Sequence, residues 1–430
     1  MKDGMFLESV DGEYEPSFFI IRLRTTQAID VAADENISTF IHEYIHFLQD
    51  LILPYCIREN LVRLATFFDY MERAQTYGEI RLPNVIPLEG AELTTRQTSM
   101  TWGDNKFVDS VGRLEDIQVT ELPVVEHGYT LHQYDLTLDG GVRYQFGARD
   151  LLEYIACKIE SKHFPSEQKL PDLPYYSVDI LVRHYGVSYL SDFKRIALSE
   201  YCLLNDNPGH RLMLLLKDLQ SGAIDGQGSD EAFAHFLRNA HWKANGVRFE
   251  LISEKLDRRA GELKDALQAR FPQIAFSEIY LWLDRAIDFA RNTLAGRSFF
   301  AELWAAETPN FFDMVSHILR EVGVPLIVND AGEMGTSLGG DQGKDQFLQL
   351  LLAYEFLDYL NRDDMQCPMI QVCERDREDL IDDDCMNAPF RRARRNDLCP
   401  FGAFAKTHRL DRVRWYVKDR LVPSEGSHWP

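Results

Sequence analysis

Apolar residues recur every three or four positions along most of this chain, and the helical period gives way to alternation in only a few short stretches. "ENISTFIHEYIHFLQDLI" predicts a helix that Asp34 can cap and Pro54 ends or bends. "IRENLVRLATFFDYMERAQTYG" predicts a second, with Gly78 as its stop. Helical spacing returns in "ARDLLEYIACKIESKHF", "SVDILVRHYG", "SYLSDFKRIALSEYCLLND" and "GHRLMLLLKDLQSG". Long amphipathic segments then run from 230 to 271 and from 274 to 295, and "TPNFFDMVSHILREVG" adds a further helix.

Strand signals are sparse. "SFFIIRLRTT" and "VPLIVND" are short β-branched runs, and "GYTLHQYDLTLDGGVRYQFG" alternates on both sides of Gly140 and Gly141, as a tight hairpin does. Residues 80–126 read as a polar, poorly periodic insertion with "NVIPLEG" and "DNKFVDSVGR" as loops, and 330–344 reads as a glycine-rich loop. The closing "RLDRVRWYVKDRL" fits a helix packed on the main body. The expected class is α+β: a predominantly helical protein with a small β component and a cysteine-containing C-terminal region. The expected units are 1–210, including the insertion, a helical 211–345, and a helical and loop-rich 346–430.

Composition narrows the partners. A net charge of -22 and a pI near 5.0 oppose general nucleic-acid binding, and no stretch approaches the roughly 18 apolar residues of a membrane span. Arg391, Arg392, Arg394 and Arg395 follow the acidic "ERDREDLIDDDC", a polarity switch expected of solvated loops or a partner-binding surface. Seven cysteines and no export signal predict a reducing, cytoplasmic setting. Cys56, Cys157 and Cys202 are expected as single buried thiols. Cys367, Cys373, Cys385 and Cys399 fall together, and four thiolates can surround a structural metal, yet the paired CxxC spacing of zinc knuckles is absent. Free buried thiols are the competing expectation.

The chemistry concentrates in "FIHEYIHFLQD". On a helix of about 3.6 residues per turn, His42 and His46 share a face and can present two imidazoles to one ion. Glu43 lies beside that face, where its carboxylate can take a proton from an attacking water and return it to a leaving amine. The HExxH pattern arises by chance in roughly two of every hundred chains of this size and composition, which is low without being negligible. The apolar Ile41, Tyr44, Ile45 and Leu48 around it imply buried imidazoles that need partners, and a metal provides one.

Catalytic zinc takes three protein ligands and leaves one position open. The extended HExxHxxGxxH form is excluded by Gln49 and Ile52. A downstream carboxylate is then required, with Glu153 the first choice and Glu160, Glu200 and Asp150 behind it. Glu153 lies toward the edge of the apolar stripe formed by Leu151, Leu152, Ile155, Ala156 and Ile159, so helix geometry alone does not select it.

Together "HEYIH" and "LLEYIA" resemble the zincin metallopeptidases, in particular the gluzincin branch, in which a glutamate on a second helix completes the site. The resemblance covers about 35 residues around the two motifs and departs from the pattern at Tyr154, where a glycine is usual. It implies zinc as cofactor, His42, His46 and Glu153 as ligands, Glu43 as general base, and a peptide or protein substrate; the large acidic body and long insertions add an expectation of selective access for a specific protein or peptide partner. Tyr175, Tyr176 and His184 are chemically suited to stabilise a developing oxyanion, and Asp50 could orient a histidine. The alternatives are a non-peptide amide hydrolase and a noncatalytic protein-interaction module with a structural metal site.

Overall fold

A computed structural model of the chain describes residues 7–8, 12–29, 37–83, 92–124, 129–165, 169–239, 252–270, 273–294, 297–337, 340–395 and 399–422. It is a mixed α and β structure, 60% helical, with small sheets. Strands β1 (Leu7–Glu8), β2 (Gly12–Glu15) and β3 (Ile20–Leu23) precede helices α1 (Ile37–Ile52) and α2 (Pro54–Tyr77). Next come β4 (Glu79–Leu82), α3 (Glu92–Trp102), β5 (Leu114–Val124), β6 (Tyr129–Leu138) and β7 (Arg143–Phe146). A helical run follows: α4 (Ala148–His163), α5 (Ser177–His184), α6 (Asp192–Cys202), α7 (Pro208–Ser221), α8 (Asp230–Asn239), α9 (Ile252–Arg270), α10 (Gln273–Leu294), α11 (Phe299–Ala305) and α12 (Thr308–Val322). Strands β8 (Leu326–Asn329) and β9 (Met334–Gly335) lead to α13 (Gly340–Tyr359) and the short α14 (Ile370–Asp376), α15 (Asp383–Asn387) and α16 (Pro400–Thr407). The hairpin of β10 (Arg414–Val417) and β11 (Arg420–Val422) closes the described chain.

Local chemistry sets several of these boundaries. Pro54 forces Leu53 into an extended conformation, which breaks one helical run into α1 and α2, and Gly78 ends α2 in the left-handed region at φ 66°. The five-stranded sheet runs β1-β2-β3-β8-β9, with β3 and β8 parallel and Ile21 opposite Ile327. A second parallel pair sets Trp415 of β10 opposite Ile80 of β4. Strand pairing therefore ties the first 210 residues to both later segments, and buried side chains from all three meet in one apolar cluster. Among the described residues, no helix is long and apolar enough to cross a membrane.

Helix α1 is central, with every residue from Phe40 to Ile52 buried, so it is enclosed on all sides. On one flank Phe47 stacks on Trp282 of α10 at 5.9 Å. The polar tips here are satisfied by the end of α12: Trp282 Nε1 donates to the Val322 carbonyl at 2.6 Å, and the Tyr44 hydroxyl donates to the Gly323 carbonyl at 2.8 Å. The opposite flank, bearing His42 and His46, meets α4.

Three local expectations need correction. The supposed insertion at 80–126 contains β4, α3 and β5; most of β5 is exposed, so it lacks the alternation that marks a half-buried strand. The expected helix at 409–421 is instead a single 3-10 turn at Leu410–Arg412 followed by a strand hairpin from Arg414, because β10 finds a ladder partner in β4 more than 330 positions away. Part of the 330–344 loop is ordered as β9 and the start of α13. Asp34 and "NVIPLEG" lie outside the described residues.

Helix α11 was not anticipated, and its start explains one of the carboxylates considered above. Glu200, buried on α6, accepts the backbone N–H groups of Phe299 and Phe300 at 2.9 and 3.1 Å, so it caps α11 from a distance. Burial pushes its pKa up to about 7 despite those bonds. The folded state thus holds this proton more tightly than the unfolded chain does. The associated stability is fully present below the unfolded value near 4.5 and is lost as pH rises through about 7. Glu200→Gln keeps an acceptor and removes the titration. Urea unfolding from pH 5 to pH 8 should show the wild type losing about 3 kcal/mol or less relative to the variant.

Candidate metal centre

Helices α1 and α4 bring three donor atoms to one point. His46 Nε2 lies 3.1 Å from His42 Nε2, and Glu153 Oε2 lies 3.3 Å from His42 Nε2 and 3.4 Å from His46 Nε2. Among the described residues this is the one group of three or more His, Cys, Asp or Glu ligand atoms within 4.8 Å of one another, and all three residues are buried. The triangle has the right size: ligands at about 2.0–2.1 Å in tetrahedral array are spaced about 3.3 Å apart. Glu153 Oε1 is also buried without a hydrogen-bond partner, an uncompensated cost that a cation beside the carboxylate would offset. Two imidazoles and a carboxylate in this arrangement could hold a metal ion.

The ring orientations are fixed from behind. His42 donates from Nδ1 to Glu160 Oε2 at 2.8 Å, while Ser38 donates to Glu160 Oε1 at 2.5 Å. His46 donates from Nδ1 to Gln49 Oε1 at 2.8 Å, and the Gln49 amide in turn donates to the Leu152 carbonyl at 3.1 Å. These bonds assign the proton of each neutral ring to Nδ1 and leave both Nε2 lone pairs facing the common point. The residue that excludes the glycine-containing motif, Gln49, thus serves as an orienting group. Glu160, considered as a ligand, takes the same supporting part for His42. Its signal was present in the sequence as spacing, since it follows Glu153 by seven residues, two turns along the same face of α4.

Without an ion, the pocket sets a negative charge against imidazoles. Burial pushes the Glu153 carboxyl up, but His46 and His42 together hold it well below the usual carboxylate range. At His42, burial disfavours the imidazolium, yet Glu153 and Glu160 outweigh it and raise the pKa well above its ordinary value. His46 moves the other way, lowered mainly by burial and also by the neighbouring His42 charge. One protonated ring beside an ionised carboxylate occupies the position in which a cation would be held.

The remaining predicted residues separate. Glu43, the residue after His42, is fully buried, and its charge helps raise the His42 pKa. Strand β2 begins directly over it: a Cβ added to Gly12 would sit 2.9 Å from Glu43 Oε1 and 2.7 Å from Thr39 Cγ2, so only glycine fits without displacement. Tyr175 packs edge-on against His42 with ring centroids 6.3 Å apart, and its hydroxyl is coupled electrostatically to both Glu153 and Glu43. Tyr176 instead interacts with Cys157, Asp179 and Asp172, and His184 is an exposed neighbour of Tyr185. Asp50 does not orient a histidine; its Oδ2 accepts the Tyr14 hydroxyl at 2.8 Å and the Ser17 N–H at 3.2 Å. Asp150 accepts the Gly147 N–H and the Tyr144 hydroxyl, both at 2.9 Å, at the start of α4.

The centre is closed. His42 and His46 are 1% exposed and Glu43 and Glu153 0%, and the cavity touching His46 has a volume of about 10 Å³, enough for a single water. A far larger depression, about 720 Å³, lies elsewhere, along α10 to α12 around Phe289, Phe299 and His317. No protein-family model, curated protein or solved structure matches the chain, so these distances carry the argument by themselves.

Ligands and supporting groups should separate by the size of their effect. Competition against a chromophoric chelator should show Glu160→Ala weakening metal affinity about 10–100-fold, the range for loss of a group behind a ligand. Glu153→Ala removes one of three donors and should weaken binding well beyond that. Equal effects from the two substitutions would remove Glu153 from the ligand set.

Proposed function

We propose that the chain is a zinc-dependent metallopeptidase of the gluzincin type, with His42, His46 and Glu153 as ligands and Glu43 as general base. The observation that carries this reading is the triangle of donors 3.1 to 3.4 Å apart, with Glu43 adjoining it on the same helix. The donor set, two imidazole nitrogens and one carboxylate oxygen, is one that catalytic zinc uses with a fourth position left for water or substrate. A zinc ion held there would lower the pKa of a water and polarise the scissile carbonyl.

The chain's own groups supply the rest. Glu160 and Gln49 keep both histidines in the tautomer that ligation requires. Glu43 accepts a proton from the attacking water as its oxygen bonds to the carbonyl carbon. It delivers that proton to the amine nitrogen as the C–N bond breaks, so the carboxylate is regenerated in each cycle. Tyr175, beside His42, is the hydroxyl best placed to donate to the developing oxyanion. A peptide or protein substrate follows from the same reading, and its entry requires the closed centre to open.

That closure favours a second reading, in which the ion is a buried structural node and nothing is hydrolysed. Glu43→Gln separates the two, because the amide preserves shape while removing the base. On the peptidase reading the variant keeps its zinc and loses about 10²–10⁴ in kcat on a peptide library. Tyr175→Phe should lower kcat by about 10²–10³ with KM and metal content unchanged. Undiminished turnover by Glu43→Gln would exclude the mechanism, and a wild type that binds zinc without cleaving any library member would leave the structural reading.

A further inference from the structure

The four C-terminal cysteines lie outside this centre and converge on one another. Cys367 precedes α14, Cys373 is within it, Cys385 belongs to α15 and Cys399 stands at the N-terminus of α16, yet all four are buried. Each thiol lies within electrostatic reach of the other three. The segments are pinned together by their backbones, with the Cys367 N–H donating to the Cys385 carbonyl at 2.7 Å.

Burial pushes the Cys367, Cys373 and Cys385 thiols up, so a cation is what would hold them as thiolates, and two local features oppose that effect of burial. Backbone N–H groups point at sulfur: Gly402 donates to Cys399 Sγ at 3.4 Å, and Met369 donates to the Cys367 sulfur. Such bonds stabilise negative charge. A buried guanidinium, that of Arg392, also lies close enough to favour the ionised forms of both Cys373 and Cys385. It is held there by Asp382 at 2.5 Å and by the fit of Gly402, where an added Cβ would come within 3.0 Å of the Arg392 carbonyl.

We propose that Cys367, Cys373, Cys385 and Cys399 form a tetrathiolate zinc site that fixes the C-terminal region, separate from the histidine centre. Binding converts four thiols and Zn²⁺ into a [Zn(SR)₄]²⁻ unit and four released protons, and Arg392 partly balances the resulting double negative charge. Tetrahedral Zn–S bonds of about 2.3 Å set sulfurs about 3.8 Å apart. No three of these sulfurs lie within 4.8 Å of one another, so binding would require their side chains and segments to close in around the ion. The stretch has reason to need such a clamp: α14, α15 and α16 have seven, five and eight residues, too few to be stable as isolated helices.

The test counts ions and reads their ligands in the full chain. Purified wild type should carry two zinc ions, and His42→Ala/His46→Ala should retain one. Cobalt exchanged into that double variant should give the intense sulfur-to-cobalt charge-transfer absorption of a thiolate site, and Cys385→Ser/Cys399→Ser should lose it. The cobalt spectrum of the unmutated chain keeps the test decisive if a variant fails to fold. Wild-type protein that takes up cobalt without a sulfur charge-transfer band, or takes up none, overturns the proposal. A histidine variant retaining the sulfur site leaves the two centres independently assignable.

Discussion

Enclosing α1 on every side is the constraint from which the site follows. From Phe40 to Ile52 every residue of this helix is buried, yet it carries His42, Glu43, His46, Gln49 and Asp50. Removing an ionised group from water carries a penalty of several kcal/mol, so each polar side chain on an enclosed helix needs a specific counterpart. The apolar residues meet that demand through Trp282, Val322 and Gly323; the polar face meets it through α4 and strand β2. What looks like a metal-binding arrangement is therefore also the solution to a folding problem, and the ion would complete it.

The division of labour along α4 shows how little freedom remains. Glu153 and Glu160 are one residue type on one helix face, but the first reaches the Nε2 atoms and the second reaches Nδ1 of His42. That difference arises from where α1 crosses α4. A carboxylate two turns further along meets the back of the ring instead of its front. Breaking a buried charged pair on one side alone typically costs about 3–5 kcal/mol, so these positions couple stability to the centre. Asp150 and Glu200 are absent from it because each is committed to the N-terminus of a helix.

Much of the helix order was legible from period and punctuation, and so were the residues of the two-histidine face, because both depend on neighbours within a turn or two. Glu153 was not legible from its own helix, since its position at the edge of the apolar stripe is equally that of a solvated acid. Its selection came from resemblance, and its proximity to the histidines comes from the packing of α1 on α4. The strand at 414–417 was missed for the same reason, as its partner is distant in sequence. Tyr175 and Tyr176 differ by one position, and only the approach of the segment to α1 sets the first against His42 and the second against Cys157. Gln49 was read as the absence of a glycine, when its amide is what orients His46.

The closed centre also restricts how a substrate could reach it. The β2–β3 turn cannot readily serve as a lid: Tyr14 and Ser17 are bonded to Asp50, Ser17 to Asn60, and the Pro16 carbonyl to Arg63 at 2.9 Å, while β3 is paired on both sides. The other side is covered differently. Phe107, 40% exposed, stacks on Tyr175 at 6.1 Å, and Tyr175 rests against His42, so two aromatic layers separate solvent from that imidazole. Arg149 covers Phe107 at 4.9 Å and donates to the Asp104 carbonyl at 2.8 Å, while Val108 exchanges backbone bonds with Leu173 and the Val111 N–H donates to Asp172 at 2.7 Å, so the loop backbone is anchored along its length. Ring contacts of this kind are worth about 0.5–1.5 kcal/mol each beyond the burial of their area, far less than a sheet core. The cover that yields most readily on this side is therefore the Phe107 ring and not the backbone of its loop, and a path opened by that ring passes the hydroxyl proposed to meet the oxyanion.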